Sequence, residues 1–75
     1  MNIKRRKKIE EVRIYINKVS NIIQDVLLEE EMAYENLSEG LQCTLRGETM
    51  ENNISELEEV VDYTNEIINC LDNIE

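Results

Sequence analysis

The sequence predicts an all-α fold, an antiparallel two-helix hairpin of the coiled-coil type, on three observations. Apolar residues recur in steps of three and four over two long stretches of nearly equal length, the chain has no proline, and both glycines fall in the segment Leu37 to Glu48 between the stretches. A strand would need alternation by two, whereas steps of three and four keep one stripe of a helix apolar. The 75 residues form one domain, 1–75, with helix one over about 3–39, a turn at 40–44 and helix two over about 45–74.

In helix one the apolar series is Ile9, Val12, Ile16, Val19, Ile23, Val26, Ala33 and Leu37, and Glu30 alone breaks it. Tyr15 and Ile22 lie beside this seam, and Leu27, Leu28, Met32 and Tyr34 widen it near the turn. Ile and Val are only fair helix formers, so packing along the seam must supply what intrinsic propensity does not. Gly40 suits the left-handed position just past a helix C-terminus, with Leu41 folding back on the last turn. Thr44 suits the N-cap of helix two. A connection this short makes the two helices antiparallel neighbours.

Helix two repeats the pattern through Met50, Ile54, Leu57, Val61, Thr64, Ile68 and Leu71, and a second stripe, Val60, Tyr63, Ile67, Cys70 and Ile74, runs beside it. A lone hairpin covers one stripe per helix and leaves the second in water. Burying it takes more helices, so two hairpins are expected to pair into a four-helix bundle or a larger helical homo-oligomer with the second stripe as the interface. Chain length points the same way, because a domain this small buries only about 60–65% of its unfolded surface and needs a staple or a partner. Two cysteines and no histidine offer neither a disulfide framework nor a metal site.

Charge is divided along the chain. Residues 1–18 carry seven basic and two acidic side chains, a balance of +5, and residues 19–75 carry one basic and fifteen acidic ones, a balance of −14, for a net −9. So acidic a body repels nucleic acid and anionic membrane, so no direct nucleic-acid or membrane partner is expected. The run Lys4 to Lys8 lacks interleaved aromatics, and pairing with acidic residues at the C-terminus of the same or another chain accounts for it. No apolar region of the signal-peptide kind follows that run, so a cytoplasmic protein with reduced thiols is expected. Cys43 and Cys70 sit at opposite ends of helix two, about 40 Å apart at 1.5 Å per residue, and cannot bridge within a chain.

No catalytic or metal motif is present, and the expectation is a protein that is not an enzyme and uses no cofactor. Glu29, Glu30 and Glu31 splay around a helix and read as a solvated face, as do Glu56, Glu58, Glu59 and Asp62; a second use for such acidic faces is to imitate a phosphate backbone and occupy a nucleic-acid-binding protein. The turn is more distinctive. Arg46 is the only basic residue after Lys18, and it stands in the first turn of helix two beside Gly47 and near Thr44, where free amides point outward. Either Arg46 clamps Glu39 or the last carbonyls of helix one, or it holds a phosphate or carboxylate brought by a ligand. The candidate binding residues are Tyr34, Gly40, Gln42, Thr44, Arg46 and Gly47.

The residues Tyr34-Glu35-Asn36-Leu37-Ser38-Glu39-Gly40-Leu41-Gln42, with Thr44, Arg46-Gly47-Glu48, Met50-Glu51 and Leu57-Glu58-Glu59, resemble small acidic helical-hairpin proteins of phages and prophages of low-GC Gram-positive bacteria. The likeness covers Tyr34 to Glu59 and departs at Ser38, where proline is common, and at Thr44, where serine is common. It implies a helical hairpin in a phage setting, hence the host cytoplasm, with no assigned activity, and leaves the role open. In that setting the resemblance implies stoichiometric binding, such as antagonism of a host defence by sequestering a nucleotide-type signal or a host protein through the turn end of an oligomer. The alternatives are an acidic nucleic-acid mimic and a plain structural or oligomerisation module.

Overall fold

A computed structural model describes all of residues 1–75 as helix, turn and helix: α1 (Ile3–Glu35), a single helical turn α2 (Glu39–Gln42) and α3 (Leu45–Asp72). The two long helices lie side by side over nearly their whole length, giving a rod of 59 × 14 × 13 Å. Asn2 caps α1, its side chain accepting from the Arg5 amide at 2.8 Å. No helix is long and apolar enough to cross a membrane.

The connection differs from its expected form. Helix one stops at Glu35 rather than near residue 39, and residues 36–38 lead into a separate helical turn. Ser38 starts that turn, its hydroxyl accepting from the Leu41 amide at 3.3 Å, which is ordinary N-cap chemistry. Gly40 therefore lies inside α2 and has no left-handed conformation; no residue of the chain has positive φ. Gln42 ties the end of α1 to the connection: its Nε2 donates to Tyr34 O at 3.1 Å, a carbonyl that also accepts from the Leu37 amide, and to Leu37 O at 3.2 Å, two residues past the helix. Helix two begins at Leu45 with Thr44 in the extended N-cap conformation, but the Thr44 hydroxyl donates back to the Leu41 carbonyl and makes no cap to α3.

On α3 the expected seam is the observed one, with Met50, Ile54, Leu57, Val61, Thr64, Ile68 and Leu71 all buried or half-buried. On α1 only half of it holds. Ile9, Ile16, Ile23 and Leu37 turn inward, but the second column consists of Arg13, Ser20, Leu27 and Tyr34, while Val12, Val19, Val26 and Ala33 are exposed. The helix is rotated by about 50°, half the angle between successive residues, from the orientation the apolar count alone selects.

Small polar side chains explain what the inner column gains. Arg13 on α1 reaches Leu71 O and Asp72 on α3, and Tyr34 reaches Glu51, so the register brings Ser20 level with Thr64. Both are buried, at 4% and 5% exposure. Their hydroxyl groups are satisfied locally: Gln24 donates to Ser20 Oγ at 3.0 Å, and Thr64 Oγ1 donates to Val61 O at 2.8 Å. The cost is apolar burial. Leu71, at 9% exposure, is the only apolar side chain buried in the hairpin.

Within the chain the basic run does not make the expected pairing with the acidic C-terminus. Arg13, not Lys4 to Lys8, meets the acidic end of α3: its Nη1 lies 3.3 Å from Asp72 Oδ1, the only ion pair in the chain, and its Nη2 donates to Leu71 O at 2.6 Å. Arg13 so supplies the positive charge that the last turn of α3 lacks. Arg6 and Glu75 line the same small cleft without pairing, and Lys4 to Lys8 are all exposed.

Candidate functional site

Two parts of the surface carry features that the fold does not consume, the turn end and one broad face. At the turn, most of the candidate residues have internal work. Gln42 clamps the end of α1, and Thr44 ties to Leu41. Gly47 is buried because α3 crosses the end of α2 there: a Cβ on Gly47 would lie 2.5 Å from the Gln42 carbonyl carbon and closer still to its oxygen. Tyr34 donates its hydroxyl to the Glu51 carboxylate. That bond, reinforced by desolvation and by the Glu51 charge, holds the phenol above its ordinary value of 10.0.

Two of the six stand apart. Gly40 has open space where a side chain would project, and Arg46 is exposed with no hydrogen bond or ion pair. The clamp that Arg46 was a candidate for is Gln42 instead. Its guanidinium stands free on the first turn of α3, with Glu48 in the same turn. Cys43 is exposed nearby as a free thiol.

The face is built by both long helices. On α3 it carries Val60, Tyr63, Ile67 and Cys70, with Ile74 just past the helix, which ends at Asp72 rather than near residue 74; all five are exposed, as the second stripe anticipates. A shallow apolar groove of about 480 Å³ runs along it between Tyr63 and Ile74. On α1 the rotation that brings Ser20 inward turns Val12, Val19 and Val26 outward, at 44%, 43% and 41% exposure, beside Tyr15 and Ile22.

These two stripes share one side of the hairpin. In each helix the stripe is reached by turning from the seam toward the preceding residue, Val12 from Arg13 and Val60 from Val61. Facing helices of opposite direction turn the same sense of rotation toward the same side. The register then sets Val12 level with Ile74, Val19 with Ile67 and Val26 with Val60, to within about one residue. Sequence periodicity found the α3 half of this face; the α1 half was missed because its valines also fit a seam.

No group of His, Cys, Asp and Glu side chains is arranged to hold a metal ion. Compared with protein families, with curated proteins and with solved structures, the chain matches none.

Proposed function

We propose that this chain is a non-catalytic binding protein that works as a homo-oligomeric helical bundle and offers its rigid turn end to a partner. The observation that carries the reading is the open apolar face of a hairpin that buries one apolar side chain of its own. Surface area agrees. The chain exposes 5950 Å², against about 4,800 Å² for a compact monomer of 8.8 kDa, an excess of about 1,150 Å². A standard protein interface removes about 800 Å² per partner, so one interface absorbs most of the excess.

The turn end supports the second half of the reading. Gln42, Gly47 and Tyr34 lock it, and a locked turn holds Arg46 in place without consuming its charge. A partner that meets a free guanidinium and the first-turn amides of α3 is anionic, such as a nucleotide-type ligand or an acidic patch on a host protein. The resemblance to phage hairpin proteins favours a role against host defence, in the host cytoplasm, where exposed Cys43 and Cys70 stay reduced. Arg46→Ala tests the site. With no internal partner to lose, it should leave the melting curve within about 0.5 kcal/mol of wild type. It should weaken capture of the partner by about 1.5–3 kcal/mol, ten- to over a hundredfold. Undiminished capture moves the site to the acidic surface and favours the nucleic-acid mimic.

A further inference from the structure

We infer that the open face is a self-complementary surface on which two copies of this chain pack antiparallel, with the N-terminal basic segment of each lying on the acidic segment of the other. The inference rests on the homo-oligomer reading above and adds the partner's orientation, which the apolar stripes alone leave open. The two columns that form the face on α1 continue past its apolar part at both ends. Stepping back from Val12 and Tyr15 by seven residues gives Arg5 and Lys8, and stepping on from Ile22 by seven gives Glu29. All three are exposed. The other column continues from Val26 to Ala33, so along the rod the stripe is basic, then apolar, then carries Glu29 as its acidic member.

Charge summed across both helices has the same polarity. Residues 1–18 together with 66–75, the end of the hairpin away from the turn, carry seven basic and five acidic side chains, a balance of +2; residues 19–65 carry one basic and twelve acidic, a balance of −11. Two such rods packed in the same direction set the −11 segments against each other. Packed in opposite directions about a two-fold axis near Val19, each −11 segment is met by the partner's basic end, and like-charge contact is relieved.

Geometry permits this packing over the full length. Val19 is the centre of the apolar stretch Val12 to Val26 and also the midpoint of α1 (Ile3–Glu35). A two-fold axis there, lying in the interface across the two helices, seats α1 on the partner's α1 and α3 on the partner's α3. Apolar part covers apolar part, and Lys8 comes level with the partner's position 30, one residue from Glu29. Every neighbouring pair in the resulting four-helix bundle is antiparallel, which suits helix dipoles as well. The two turn ends then point in opposite directions, so the two Arg46 side chains form separate sites and never one.

The exposed thiol of Cys43, at the turn, measures the orientation directly. In a Cys70→Ser chain, spin labels on Cys43 should give an inter-label distance of about 60 Å, close to the length of the rod, at a dimer mass by light scattering. A dimer with labels under about 30 Å apart has its turns at one end and overturns the antiparallel inference while leaving the oligomer reading intact. A monomer mass for the wild-type chain overturns both. Charge reversal supplies a second measurement. Glu29→Lys should weaken dimerisation tenfold or more, and adding Lys8→Glu to the same chain should restore it; weakening that Lys8→Glu deepens instead would mean the two side chains do not meet.

Discussion

Gly47 is the position at which one methyl group should do most damage. In Gly47→Ala the new Cβ would sit 2.5 Å from the Gln42 carbonyl carbon, where ordinary carbon–carbon contact is about 3.5–4.0 Å, so α3 and α2 must separate by about 1 Å. The strain of overpacking is about 1–3 kcal/mol. The shift also pulls on Gln42, whose two bonds to Tyr34 O and Leu37 O contribute about 0.5–1.5 kcal/mol each. Against this, alanine gains about 1 kcal/mol over glycine in a helix. The net is a loss of about 1–5 kcal/mol, centred on about 3. Gly40→Ala is the matched control: nothing lies within 4 Å of its Cβ, and it should stabilise by about 0.5–1 kcal/mol. Urea denaturation followed by circular dichroism, at one protein concentration because association shifts apparent stability, reads both. A Gly47→Ala variant as stable as wild type would mean that α3 does not cross α2 this closely, and the rigid turn would go with it.

Two further perturbations test contacts between the helices. Because Tyr34 binds its proton more tightly folded than unfolded, the contribution of its bond to Glu51 is fully present below about pH 10 and is lost as pH rises through the folded value. Phenolate absorbance should show one tyrosine titrating later in wild type than in Glu51→Ala; identical curves would exclude the bond. Arg13→Ala should cost about 1–2 kcal/mol, mostly the charged bond to Leu71 O, while Asp72→Asn should cost under about 0.5 kcal/mol because Asp72 is 58% exposed. Equal losses in the two melting curves would shift the weight from the carbonyl cap to the ion pair.

Much of this fold was legible from periodicity, and the misreadings share a cause. The α3 seam could be read outright because Thr64 fits the three-four series as well as its apolar neighbours do. On α1 the apolar arc is wider than one seam, and spacing does not say which edge of a wide arc faces the neighbouring helix. The inner edge went to Arg13 and Ser20, residues whose value lies in capping Leu71 O and in small size, neither of which a count of apolar positions registers. Gly40 misled for a different reason. A glycine after a helical repeat suggests a left-handed stop, but Ser38 two residues earlier is an N-cap that restarts the helix first. In the same way the only cation of the turn drew attention as a clamp, while the residue that clamps, Gln42, is neutral and reaches its carbonyls through a side-chain amide.

If the hairpin is half of a structure completed by its open face, the particle in solution has twice the mass of the chain. Sedimentation equilibrium at micromolar concentration should give twice the 8.8 kDa chain mass for wild type. Val19→Asp, an exposed position in the hairpin but a buried one at the proposed two-fold axis, should give the single-chain mass, because an unpaired carboxylate there costs several kcal/mol of association. A wild-type protein that sediments as a stable single chain, or a Val19→Asp variant that associates as well as wild type, would contradict the account.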